Sequence, residues 1–112
     1  DITNLANFGT RNTFSDTLSS SRGIGAARRW IKAEFQQISS NCTDCLEVFY
    51  QKDLVKAATS KRVPKDTWVV NVVAIQKSKT GSNRYIIISG DIDSRNSDGS
   101  DFTKDAPVPY GT

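Results

Sequence analysis

TWVVNVVAIQ, residues 67–76, is rich in β-branched side chains and almost entirely apolar. Such a run is typical of a strand that is covered on both faces. A second apolar run, RYIIIS at residues 84–89, follows a turn region that contains Gly81. Two apolar runs joined by a short connection predict a β-hairpin over residues 67–89.

An alternating strand and a helix are predicted before this hairpin. In LEVFYQ, residues 46–51, every second side chain falls on one face, which is the pattern of a half-buried strand. Ser21 is a candidate N-cap for a helix. The apolar stripe of this helix consists of Ile24, Ala27, Ile31, Phe35 and Ile38. We therefore predict the α/β class, or α+β for a fragment, with the N-terminal helix packed on a small mixed sheet of about three strands.

Charge and histidine content restrict the possible functions. The formal net charge is +3, and the basic residues fall around turns and loops without interleaved aromatic residues. We therefore expect a solvated surface rather than a nucleic-acid partner. The chain has no histidine, so it cannot by itself form a Ser-His-Asp triad, a Cys-His pair or a His-ligated zinc site. No apolar run reaches the ~20 residues of a membrane helix, and no membrane partner is predicted.

Cys42 and Cys45 form a C-x-x-C motif. A zinc site would need a second cysteine pair or histidines, and a thioredoxin-like redox site would place the pair at the start of a helix. Here the pair follows a predicted helix and precedes a predicted strand. We therefore predict a small structural disulfide in a secreted or periplasmic protein.

Gly23 and Gly25 stand at the start of the predicted helix. Paired glycines at such a position occur in dinucleotide-binding loops, where the backbone approaches a pyrophosphate. No strand is predicted before them and the third glycine is absent, so this interpretation is rejected.

Acidic residues follow the second apolar run, in the sequence GDIDSR at residues 90–95. Asp91 and Asp93 have the same parity, so both carboxylates are expected on one side of the strand end. Such a pair can hold a divalent cation, and solvated turn acids are an equal alternative. A calcium-loop pattern overlaps this segment, but it begins with Ser94 and ends with Asp105 instead of Asp and Glu. Chance similarity is therefore favoured over a calcium site.

Four segments together resemble a known family. They are SRGIGAARRWI at residues 21–31, WVVNVVA at 68–74, RYIIISGDIDSR at 84–95 and KDAP at 104–107. They resemble the N-terminal third of secreted two-zinc aminopeptidases of peptidase family twenty-eight, the bacterial leucyl-aminopeptidase group. The resemblance covers about residues 8–107, and the strand that ends in Ser-Gly-x-x-Asp-Ser is its most specific part.

The resemblance implies a role for two of the acidic residues. Asp91 stands where the family has a histidine that ligates one zinc, so it is a candidate metal ligand that departs from the pattern. Asp93 stands where a family aspartate orients that ligand, so it is a candidate catalytic-site residue. Gly111 stands where the bridging aspartate would be. The family's general-base glutamate, its later Glu and Asp ligands and its final histidine have no counterpart in these 112 residues.

The resemblance therefore implies a single partial domain, with an aminopeptidase-like portion at 21–107 and a divergent tail at 108–112. Residues 1–20 are polar with few apolar anchors, and this composition predicts an arm that is irregular or helical. The expected function is that of a truncated or fragmentary zinc metallopeptidase that is catalytically incompetent alone, and whether the chain counts as an enzyme stays open. Zinc is the cofactor of the full-length family, and we expect none on this chain alone.

The expected partners follow from the same resemblance. A peptide substrate is expected only for a full-length parent enzyme. We expect the chain itself to form a homo-oligomer or to contact a missing C-terminal portion. The alternative function is a small protein-binding or scaffold module that self-associates through an exposed sheet edge.

Overall fold

The computed structural model describes residues 1–96 and 103–105. The elements, in chain order, are α1 (Ile2–Asn7), α2 (Gly23–Asn41), β1 (Leu46–Val55) and β2 (Thr67–Gln76). Two helices and a small sheet confirm the α+β class that was predicted for a fragment. The predicted tail at residues 108–112 lies outside the described residues.

β1 and β2 form a two-stranded antiparallel sheet that pairs along its whole length, with Leu46 opposite Gln76 at one end. The first, third and fifth residues of β1 are half-buried and those between them are exposed, which confirms the predicted alternation. α2 packs against both strands. None of the helices in the described part of the chain is long and apolar enough to cross a membrane.

The predicted hairpin over residues 67–89 is wrong. β2 pairs with β1, and residues 84–89 form neither helix nor strand. The sheet therefore has two strands in the described residues instead of about three. A strand that is apolar on both faces needs a covering layer on each side, and among the described helices α2 alone packs on the sheet.

β2 is also less covered than its composition predicts. Trp68 is 56% exposed, and Val69 and Ile75 are also exposed. α2 covers one face of the sheet, and no other described helix or strand covers the opposite face. The apolar run thus indicates a strand correctly but predicts more burial than this part of the chain provides.

The core lies at the beginning of α2. Ile24, Ala26 and Ala27 are buried almost completely. Burial decreases along the predicted stripe, and Ile38 near the helix end is exposed. The Phe8 ring of the arm lies 6.1 Å from the Trp30 ring of α2, measured between centroids. The best packed region is therefore the contact between the arm and the first turns of the helix.

Cys42 and Cys45 form the predicted disulfide, with their Cα atoms 5.4 Å apart. The bridge lies in the turn between α2 and β1. The Ser39 hydroxyl also joins these elements, because it accepts a hydrogen bond from the Leu46 N–H at 3.0 Å and donates one to the Leu46 carbonyl at 3.1 Å. The short connection between helix and strand is therefore fixed on both sides.

Candidate functional site

The arm caps the first turn of α2. The first N–H groups of a helix have no partner within the helix and need acceptors from elsewhere. Here the arm supplies the acceptors. The Gly23 N–H donates to the Phe8 carbonyl at 2.9 Å, and the Gly25 N–H donates to the Asp16 carbonyl at 3.1 Å. The Ile24 N–H donates to the Ser15 hydroxyl at 3.0 Å. The predicted N-cap at Ser21 is wrong, because Arg22 is the N-cap residue and makes no side-chain cap. The arm replaces the local cap that the sequence pattern suggested.

Gly23 and Gly25 permit this close approach. Gly23 has a φ of +80°, and a Cβ atom there would lie 2.5 Å from the Asp16 carbonyl oxygen. A Cβ atom on Gly25 would lie 2.3 Å from the Thr17 carbonyl oxygen. Glycine is therefore needed for packing between the arm and the helix, which accounts for the pair without a nucleotide.

Arg11 holds the segment that carries the predicted site residues. It is 7% exposed, and its Nε donates to the Ile92 carbonyl at 2.8 Å. Its Nη1 donates to the Leu5 carbonyl at 2.7 Å. The Arg11 backbone N–H donates to the Ser94 hydroxyl at 3.1 Å. One buried guanidinium thus joins α1, the arm and the segment around Asp93.

The charge of Arg11 is balanced in part by Asp93. Burial lowers the pKa of the Arg11 guanidinium, and the Asp93 carboxylate acts in the opposite direction by favouring the charged form. Asp93 is exposed, so solvent weakens this attraction. The structure therefore places Asp93 beside an arginine of the arm.

Asp105 closes the same contact from farther along the chain. Its Oδ1 accepts hydrogen bonds from the Thr10 N–H and from the Arg22 guanidinium, both at 2.6 Å. The Arg22 bond is the main cause that lowers the pKa of Asp105, and the Thr10 N–H acts in the same direction. We refer to Thr10, Arg11, Arg22, Ser94 and Asp105 as the clasp.

The predicted metal ligands are not gathered into a metal site in the described residues. Asp91 and Asp93 are both exposed. Among residues 1–96 and 103–105, no group of three or more His, Cys, Asp or Glu side chains could hold a metal ion. A two-zinc centre needs several such ligands, and the whole chain lacks histidine. The residues described therefore do not fit a zinc centre, and the roles of Asp91 and Asp93 stay predictions.

The calcium-loop pattern meets a related obstacle. The Asp105 oxygen that would end the loop already accepts two hydrogen bonds, from Thr10 of the arm and from Arg22 at the start of α2. The middle of the pattern, at residues 98 and 99, lies outside the described residues. Asp105, the last residue of the pattern, therefore belongs to the clasp.

Sequence reasoning missed Arg11 and Arg22. Both lie in a polar stretch without periodicity, so no pattern assigns their side chains a direction. An arginine among small polar residues was the only available signal. Arg11 and Arg22 each have a partner more than eighty residues away, at Ser94 and Asp105 respectively.

A cavity of about 620 Å³ lies between the arm, α2 and the two strands. Arg28 of α2, Lys52 of β1 and Lys65 of the connecting loop contribute cationic side chains to its lining. Phe14 and Trp68 contribute aromatic side chains. The cavity is therefore basic and partly apolar, and no motif in the sequence marks it.

Comparisons with known proteins point to one class of enzyme. The relatives include probable zinc metalloproteases of Leptosphaeria maculans, Pyrenophora teres f. teres and Pyricularia oryzae, which are 39%, 36% and 34% identical to this chain over 106 residues. This chain is therefore similar in sequence to proteins that are named as probable zinc metalloproteases. Each alignment covers 95% of this chain but only 24%, 23% and 21% of the relative.

The chain thus spans about a quarter of the length of the curated relatives it matches. A comparison with models of known protein families finds no match. No solved structure matches the chain either.

Proposed function

We propose that the chain forms the helix-and-sheet portion of a secreted, aminopeptidase-type zinc metallopeptidase and has no peptidase activity by itself. The observation that carries this proposal is the 39% identity to a probable zinc metalloprotease over 106 residues, which covers nearly all of this chain and 24% of the relative. The segments at residues 68–74 and 84–95, which resemble the leucyl-aminopeptidase group, lie inside the aligned part.

One feature of the fold supports a structural contribution. The side chains of Tyr85–Ile88, which we call the apolar segment, are each at least 88% exposed. Exposed apolar runs of this kind are typical of surfaces that another part of a protein covers.

The disulfide supports the secreted location. Disulfides persist in oxidising compartments such as the extracellular space and the periplasm, and they are rare in the cytosol. The Cys42–Cys45 bridge, in the turn after α2, is consistent with such a compartment.

A chimera tests the proposal. The 106 aligned residues of the Leptosphaeria maculans relative are replaced by those of this chain, and hydrolysis of leucyl p-nitroanilide is measured with and without zinc. The intact relative is the positive control. Because Asp91 stands where the family has a zinc-ligating histidine, the chimera also carries Asp91→His, and we expect it to keep zinc-dependent activity within about tenfold of the relative. A folded chimera without activity, beside an active relative, would contradict the proposal.

The chain alone provides the complementary test. Two-metal hydrolysis requires two bound cations and a base that activates water. With excess zinc, the purified chain is expected to give no turnover of leucyl anilides above a metal-only control. Zinc-dependent turnover above that control would show that the chain holds an active site of its own.

A second candidate function is a protein-binding or scaffold module that self-associates through its exposed sheet edge and the apolar segment. The exposure of the four consecutive apolar side chains in that segment favours it. Sedimentation at roughly tens of micromolar chain should then show a dimer or larger species. A monomeric mass under those conditions would count against self-association.

A further inference from the structure

Arg28 of α2 is a buried cation. The residue is 8% exposed, and its Nε is buried and makes no hydrogen bond. Within residues 1–96 and 103–105, no carboxylate forms an ion pair with it. Burial lowers the pKa of Arg28, and the nearby Tyr50 acts weakly in the opposite direction. Buried charges are almost always paired, so we expect an anion beside this guanidinium.

Arg11 shows how this fold pairs another buried arginine. Arg11 is buried to a similar degree, but its guanidinium donates to the carbonyls of Ile92 and Leu5. Arg28 lies on the helix beside the cavity, and within residues 1–96 and 103–105 no acceptor pairs with its guanidinium. The described part of the chain therefore satisfies one buried guanidinium and supplies no anion for the other.

The cavity beside Arg28 carries an excess of positive charge. Lys52 and Lys65 line it together with Arg28. Asp66 also lines it, but its Oδ2 is 2.8 Å from the Lys56 Nζ, and its other oxygen accepts a backbone hydrogen bond. Asp66 is thus already neutralised by a lysine outside the cavity lining. The three cations therefore attract an anion from elsewhere.

The remaining walls favour an anion with an apolar body. Phe14, Trp68 and Val70 line the cavity, and Trp68 is largely exposed to it and to solvent. A volume of about 620 Å³ is in the range of small-molecule sites, which combine apolar walls with a few polar groups. A guanidinium binds carboxylate or phosphate groups with charge-assisted hydrogen bonds and can use two of its donors at once.

We propose that this cavity binds an organic carboxylate or phosphate, with Arg28 as the main contact to the anionic group and Lys52 and Lys65 flanking it. The apolar body of the ligand lies against Trp68. The anion comes from a free small molecule or from a carboxylate of a second copy of the chain, and the experiment distinguishes the two sources.

The full 112-residue chain is titrated with inorganic phosphate, acetate and phenylacetate, and binding is followed by calorimetry and by the melting temperature. We expect saturable binding, with phenylacetate binding more tightly than acetate because of its ring. Arg28→Gln should weaken binding at least about tenfold, since charge-assisted hydrogen bonds are lost. Arg62→Gln is the matched control, because Arg62 is an exposed cation outside the cavity lining.

A second variant keeps the test decisive if Arg28→Gln does not fold. Lys52→Gln combined with Lys65→Gln changes only exposed side chains, and it should also weaken binding several-fold. The other source of the anion would make the wild-type chain self-associate in solution. If Arg28→Gln abolishes this self-association and Arg62→Gln does not, the anion belongs to a second copy of the chain.

Two results would overturn the proposal. In the first, no anion binds saturably up to about 10 mM, and the chain shows no self-association that depends on Arg28. The other is an equal effect of Arg28→Gln and Arg62→Gln, because a general salt effect would then explain the data.

Discussion

Ser94 of the clasp and the apolar segment are near each other in sequence and opposite in exposure. Ser94 of the clasp is 5% exposed, whereas Ile88 is 92% exposed. The clasp completes its hydrogen bonds inside this chain because a few directional contacts between the arm and one segment are enough. Apolar burial depends on covered area, and one helix on a two-stranded sheet covers little. The contacts of the clasp are therefore complete within this chain, whereas its apolar segment stays exposed, and we propose that further protein covers it.

The largest effect is expected at the contact between the arm and α2. Gly25→Ala places a methyl group against the Thr17 carbonyl, where a Cβ atom would lie 2.3 Å from the oxygen. The free energy of unfolding should fall by about 3 kcal/mol, because backbone must move. Urea unfolding measures it.

Gly90→Ala is the matched control for this substitution, since a Cβ atom there meets nothing within 4 Å. It should change the free energy of unfolding by less than about 0.5 kcal/mol. Equal stability of the two variants would show that the arm does not pack on α2 as described.

The next effect concerns the guanidinium of the clasp. Arg11→Gln removes the hydrogen bonds to the carbonyls of Ile92 and Leu5 and leaves those half-buried acceptors without a donor. We expect a loss of about 2 kcal/mol in the free energy of unfolding. Arg95→Gln, an exposed change in the same segment, is the control and should be nearly neutral. If Arg11→Gln left the free energy of unfolding unchanged, the clasp would not stabilise the fold.

A smaller effect depends on pH. The pKa of Asp105 is lowered in the folded chain by Arg22, so its stabilisation is present above the unfolded pKa and is lost as pH falls through the folded pKa. The wild-type chain should exceed Asp105→Asn in stability above about pH 5, and this difference should vanish in stronger acid.

The side chain of Asp105 is half exposed, so the difference should stay below about 1 kcal/mol. Unfolding by urea at several pH values measures it. Arg22→Gln should reduce the pH dependence. A pH dependence that is unchanged in the Arg22→Gln background would exclude this ion pair as its source.

The smallest effect is expected in the apolar segment. Ile86→Ser combined with Ile88→Ser changes side chains that are already in solvent, so the stability of the monomeric chain should change by less than about 0.5 kcal/mol. In the chimera, the same pair should reduce stability clearly, because these side chains would be covered there. A large loss in the chain alone would show that the segment is already packed.

The local elements of the fold could be predicted from the sequence. The stripe of α2 and the alternation in β1 depend on neighbours along the chain, so periodicity indicates them. The disulfide was likewise predicted from its spacing between a helix and a strand. These predictions need no knowledge of what lies farther along the chain.

Strand pairing and the clasp could not be predicted in the same way. The apolar residues 84–89 have the composition of a buried strand, but composition does not say which layer buries it. Arg11 and Arg28 are both arginines in the N-terminal third of the chain, yet one is paired and the other is not. That difference depends on contacts between residues far apart in sequence, which no local pattern encodes.

Hydrogen exchange in the chain and in the chimera tests the central claim most directly. The claim is that the clasp is complete in this chain and that the apolar segment is covered by the rest of a metalloprotease. We predict slow exchange at the N–H groups of Thr10 and Arg11 in both proteins, because each is hydrogen-bonded within the clasp. The N–H groups of residues 85–88 should exchange fast in the chain and slowly in the chimera. Protection of residues 85–88 in the chain alone, or fast exchange there in an active chimera, would contradict the account.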